Sequence, residues 1–278
     1  MSNMAGNSTV SKTRMQRRIK RFTMHMAVAL PGIVMLVFWQ LASGHLIRTL
    51  YVSKPTDIAV RLYQMFASGE ILPDLAVTGQ ELVISYIVGV TFGLLLGYWL
   101  GRSPRAAAIF EPYIMAFYGI PKIALAPLFI IWFGIGIWSK VALAGTMVFF
   151  LVFYNIFTGV RSVSREMVDL ALVLGANERQ LSRHIYLPAA APFIFLGMRM
   201  AIPFAVIGVI VGEFTSALKG LGLFINYAAS TYDPAGVFAG IIILLVFVLA
   251  ANSGANMLER RLLKWRPSTQ NNSTDANT

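Results

Sequence analysis

Three ionisable side chains lie within or at the end of runs apolar enough to cross a bilayer: Lys122, Arg199 and Glu213. A cation at the hydrocarbon centre costs roughly 2.5 to 3.5 kcal/mol on insertion scales, so such a residue needs a cavity, a partner or headgroups nearby. Two readings are open for Lys122 and Arg199. Each snorkels or pairs with helix carbonyls, or each faces a polar path and attracts an anion passing through it. The first is the commoner outcome for each; of the two residues Lys122 is the better candidate for the second, because Gly119 and Pro121 break its helix and freed backbone groups are tolerated in a membrane only where protein or water satisfies them. Glu213 closes an apolar run, crowded by Gly208, Gly212, Gly220 and Gly222. It is either a solvated span end or a group that meets an external protein or helps close an outer gate. Other chemistry is absent from the pattern. There is no cysteine, His25, His45 and His184 lack metal-ligand spacing, and no G-x-x-x-x-G-K-[ST] phosphate loop occurs, so no catalytic residue, metal or cofactor is assigned to the chain.

A second constellation is the charged segment over residues 166–199, between two apolar runs. Met167, Leu170, Ala171 and Leu174 fall at i, i+3, i+4 and i+7, one face of a helix. Ser164 is the expected N-cap, Glu166 and Asp169 put negative charge in the first turns, and Gly175 suits the left-handed position after the last turn. Asn177 and Gln180 have capping-box spacing, which restarts a helix running to Pro188. This helix, glycine turn and helix is either an amphipathic hairpin on the membrane surface or an ordered docking surface.

These residues need a membrane scaffold. With 57% hydrophobic and 13% charged residues, the chain lies outside the range of soluble domains. Residues 26–44, 82–101, 112–139, 141–160, 185–212 and 234–258 are the expected spans, giving an all-α polytopic protein with six transmembrane helices. The third and fifth are interrupted by proline and glycine. Lys12, Arg14, Arg17, Arg18, Lys20, Arg21, Arg102, Arg105, Arg161, Arg165, Arg179, Arg183, Arg260, Arg261, Lys264 and Arg266 fall in alternate loops. The opposite loops hold only Arg48, Lys54, Arg61, Lys140 and Lys219, which predicts both termini in the cytoplasm. The net charge of +11 therefore reads as membrane orientation and not as nucleic-acid binding. The expected organisation is a basic cytoplasmic segment at 1–23, a transmembrane domain at 24–267 and a disordered tail at 268–278. Within it lie an external segment at about 45–80, with a helix over 55–67, and a cytoplasmic loop at about 161–186. Glycines 89, 93, 97 and 101 recur every four residues and predict close helix packing.

Asp169-Leu170-Ala171, Gly175-Ala176, Ile185, Leu187-Pro188-Ala189-Ala190 and Pro192 together resemble the EAA loop of permease subunits from binding-protein-dependent ATP-binding-cassette (ABC) importers. The spacing matches throughout, with Asp169 in place of the usual Glu and Leu170 in place of the first Ala. Residues 101–140, Leu258-Glu259-Arg260-Arg261 and Trp265-Arg266-Pro267 are similar to the nitrate/sulfonate/taurine-type members. The resemblance implies a type I ABC importer permease fold in a bacterial inner membrane. It also implies a coupling helix in which Glu166, Asp169, Ala171, Gly175 and Arg179 meet a separate ATPase. The implied partners are an ABC ATPase dimer, an external or periplasmic solute-binding protein, a second permease copy in a homodimer, and membrane lipid. The implied cargo is a small anionic solute such as nitrate, a sulfonate or taurine. An ion-coupled secondary transporter is the rival, and it would keep ionisable coupling groups near the midplane.

Overall fold

The computed structural model describes residues 30–46, 48, 49 and 51–262, and the described elements are helical. The expected segment at 1–23 and tail at 268–278 lie outside the described residues. The chain forms two compact units. Of the described residues, the smaller draws on those up to Ala67 and on Ala228–Ala239, the larger on Ser68–Tyr227 and those from Gly240 on.

In the smaller unit, α1 (Leu30–Ala42) is a short apolar helix, the described part of the first expected span. Helix α2 (Pro55–Ser68) opens on proline and stops before Gly69, whose φ of +74° suits glycine. Arg61 of α2 pairs with Asp233 at 3.5 Å, and Trp39 packs on Phe238 with ring centroids 5.3 Å apart. Asp233 also accepts the Gly236 N–H at 2.9 Å and so caps α11 (Pro234–Leu262).

The larger unit is built on α3 (Leu72–Arg102), α6 (Ile137–Arg161) and α9 (Leu187–Ser216). Val90 of α3, Val148, Val152, Ile156 and Val160 of α6, and Ala190, Ala201 and Ala205 of α9 form its main core. The four-residue glycine repeat faces α6. A Cβ on Gly89 would lie 2.6 Å from the Val148 Cβ, and one on Gly101 would lie 2.8 Å from the Val160 Cβ. Only hydrogen fits there, so the two backbones run closely side by side.

Among the described residues four helices are long and apolar enough to cross a membrane: Leu72–Arg102, Ile137–Arg161, Glu178–Ser216 and Pro234–Met257. A fifth span would be the pair Pro104–Gly119 and Lys122–Phe133, bent by 82°. With α1 these six segments are consistent with the expected six spans. The boundaries differ for physical reasons. Helix α3 begins at Leu72 because Pro73 opens it and Asp74 and Glu81 each find a donor inside the protein, whereas a charge-free run starts only at 82. The connection after α3 is the single residue Ser103, whose side chain accepts the Ala106 N–H at 3.3 Å and caps α4 (Pro104–Gly119). The break expected near Gly119 falls at Ile120 and Pro121, followed by a 3₁₀ turn over Lys122–Leu125 and α5 (Ala126–Phe133). Pro127 does not break the chain, because it occupies the first turn of α5, where no N–H is needed.

Pro188 likewise leaves its helix intact. Helix α8 (Glu178–Leu181) continues into α9 through a π-helical turn over Ser182–Tyr186, in which the Leu187 N–H bonds the Ser182 carbonyl. Proline at 188 removes the bond to residue 184 and crowds its carbonyl; the wider turn absorbs both effects.

Candidate functional site

The loop between α6 and α9 takes the form its residues predict. Helix α7 (Arg165–Val173) ends in a left-handed glycine, Gly175, at φ +84°. The Ala176 N–H bonds the Ala171 carbonyl and the Gly175 N–H bonds the Leu172 carbonyl, each at 2.9 Å. This pair is the Schellman closure. Asn177 and Gln180 then exchange both capping-box bonds, at 2.8 and 2.9 Å. Ser164 occupies the N-cap position with extended backbone, but its side chain makes no capping bond, which corrects the expectation for that residue.

Among the described residues α7 has no fully buried side chain. Glu166, Asp169, Gly175 and Arg179 are exposed and Ala171 is half-buried. Of the predicted apolar face, Met167, Leu170 and Leu174 are exposed too, Leu174 at 79%. The loop is fastened from its second half. Leu181 is buried, the Tyr98 and Ser182 hydroxyls are hydrogen-bonded, and Arg102 forms an ion pair with Glu178. The Arg102 guanidinium also lies 5.1 Å from the Tyr186 ring centroid.

The three expected path residues are not brought together. Lys122 sits at the break after α4, where its ammonium donates to the Tyr118 carbonyl and lies 4.8 and 4.9 Å from the Tyr118 and Phe150 ring centroids. It lines a cavity of about 290 Å³ with Ile123, Met147 and Phe204. Arg199 is ion-paired with Glu259 of α11. Glu213 shares α9 with Arg199, yet lies about 21 Å farther along the helix at 1.5 Å per residue.

Glu213 is not a solvated span end. It is 1% exposed, accepting the Thr78 hydroxyl at 2.6 Å and the Gly222 N–H at 2.5 Å. Around it lies a cluster that charge-free runs in the sequence do not reveal. Lys140, expected in an outer loop, is 4% exposed and donates to Glu81 at 2.8 Å; Glu81 is 1% exposed. Thr78 accepts the Leu221 N–H and Asp74 accepts the Gly220 N–H, both at 2.8 Å. The turn between α9 and α10 (Leu221–Ser230) is thereby tied to the start of α3. A signal for this is present in the sequence. Asp74, Thr78, Glu81 and Ser85 recur at i, i+4, i+7 and i+11, a polar stripe on one helical face that the glycine repeat continues.

Comparison with known proteins gives this arrangement its family. A profile described as "Binding-protein-dependent transport system inner membrane component" matches residues 89–264. The chain is 34% identical to the formylaminopyrimidine transport permease protein ThiX of Halalkalibacterium halodurans, over 84% of this chain and 93% of that protein. It is 32% identical to the putative aliphatic sulfonates transport permease protein SsuC of Bacillus subtilis, over 90% of each. Its fold is similar to that of a chain of the MetNI methionine ABC transporter in an inward-facing conformation. That match has a TM-score of 0.55 and 17% identity, covering 69% of this chain and 94% of that one. This chain therefore belongs to the inner-membrane components of binding-protein-dependent transport systems, as an ABC importer permease of the nitrate/sulfonate/taurine type.

Proposed function

We propose that the chain is the membrane-crossing subunit of an ATP-driven importer and that α7 and α8 couple it to a separate ATPase dimer. The observation that carries this reading is the exposed apolar and acidic face of α7, held rigid by a Schellman closure and a capping box. Such a face, left exposed by the other described residues, fits a groove on another subunit. Glu166, Asp169, Ala171, Gly175 and Arg179 make or shape the contact. No phosphate loop occurs in the sequence, so ATP hydrolysis belongs to the partner. Two copies of the chain form the path, an external binding protein delivers the solute, and both termini lie in the cytoplasm.

The solute is a small anion. Lys122 supports this: its carbonyl and aromatic contacts leave the positive charge unpaired with a carboxylate among the described residues, beside a cavity at a broken helix. Arg199 supports it less, since Glu259 already balances its charge. The rival reading, an ion-coupled transporter, draws on one observation, the buried carboxylates Glu81 and Glu213. They are held by Lys140, Thr78 and Gly222, which favours a structural role.

The test is uptake of labelled alkanesulfonate, nitrate or taurine into proteoliposomes holding the chain, its ATPase and its binding protein. Uptake is expected to require all three and ATP, and Lys122→Gln is expected to reduce uptake more than ATPase activity. Uptake driven by an ion gradient without the ATPase would establish the rival.

A further inference from the structure

A coupling loop needs a mechanical route into the spans, and the route inferred for it rests on the proposed contact of α7 and α8 with an ATPase. Helix α7 buries nothing and α8 only Leu181, so burial alone gives the loop little grip on the rest of the larger unit. The polar grip comes from the end of α3. Tyr98 bonds Ser182, Arg102 pairs with Glu178, and the Arg102 guanidinium covers Tyr186. Ser182 and Tyr186 are the first and last residues of the π-helical turn, the irregular point through which α8 runs into α9. Helix α3 thus holds the loop on both sides of that turn.

The opposite end of α3 holds another turn. Asp74 and Thr78 accept the N–H groups of Gly220 and Leu221, and Glu81 reaches Lys140 of α6. Thr78 and Tyr98 are about 30 Å apart along the helix, the thickness of a bilayer's hydrocarbon core. Between them, the glycine repeat lays α3 against α6 without room for adjustment. So closely packed an interior has low compressibility and transmits strain.

We propose that Tyr98 and Arg102 are positioning residues that fasten the coupling loop to α3. Helix α3 then carries displacement of the loop to the turn between α9 and α10 at the opposite membrane face. The Arg102–Glu178 pair, with Glu178 exposed and Arg102 half-buried, is screened by solvent and adds little to stability. Its loss is therefore read in coupling and not in folding.

The test uses the assembled complex in proteoliposomes, with uptake and ATPase rate read together. Arg102→Glu and Glu178→Arg are each expected to lower uptake per ATP by about ten-fold, a usual size for coupling between sites, with ATPase activity retained. The double reversal is expected to restore it. A second measurement uses the absence of cysteine from the chain. Tyr98→Cys combined with Ser182→Cys is expected to impair uptake when reduced, and bridging the pair with a short bifunctional reagent is expected to restore it, since the proposal has the two groups move together. Unchanged uptake per ATP in the single reversals, a double reversal no better than either, or arrest on bridging would overturn the proposal. Wild-type complex lacking ATP-dependent uptake would instead refute the permease reading itself.

Discussion

Glu81 and Lys140 stand 59 residues apart in sequence and 2.8 Å apart in the fold, both almost fully buried. Removing one member of a buried pair leaves the other charge uncompensated, at a cost of about 3 to 5 kcal/mol, whereas replacing both with neutral groups costs much less. Lys140→Met is therefore expected to lower the thermal unfolding midpoint of the purified protein sharply, and Glu81→Gln added to it is expected to recover most of the loss. A double variant as unstable as the single one would show that the pair is not what holds these helices. The pair is hidden in the sequence because a charge marks the end of a span only when its partner is water. Arg199 reads as a lone cation for the same reason, its partner Glu259 lying 60 residues away. Lys122 is legible as an embedded cation because the signals around it, Gly119 and Pro121, are local.

At the scale of elements, what is legible has causes within a few residues. Gly175 and the Asn177 to Gln180 spacing announce the turn and the second helix, and both appear with the bonds that spacing requires. What is not legible depends on packing between distant segments. The start of α3 hides behind buried carboxylates, and the continuity of α8 with α9 past Pro188 depends on a π-helical turn that has no plain sequence signal. The glycine repeat offers a clean element-level test. Gly89→Leu drives carbon atoms into Val148 and the Gly145 carbonyl, so loss of folded protein by more than the roughly 1 to 3 kcal/mol of ordinary overpacking is expected. Gly119→Ala, with nothing within 4 Å of the added carbon, is the control and should leave folding unchanged. Equal yields of monodisperse protein from both variants would mean that α3 and α6 do not pack as described.

For the molecule as a whole, the apolar runs make an all-helical membrane protein readable, and the resemblance of Asp169, Gly175, Ile185, Leu187 and Pro188 to the EAA loop implies a permease of a binding-protein-dependent importer. The solute is not readable, because under the proposed function selectivity depends on which side chains face a path shared by two copies and on a separate binding protein. The proposed coupling has α7 and α8 transmit work from an ATPase, and two substitutions strike that role directly. Gly175→Pro cannot adopt φ +84°, since the proline ring holds φ near −65°, and Asp169→Lys reverses the charge on the exposed face of α7. The most direct measurement is ATP-driven solute uptake by proteoliposomes containing either variant, beside the amount of permease inserted. The expected result is normal insertion with uptake abolished; uptake at the wild-type rate in both variants would contradict the coupling role of this loop.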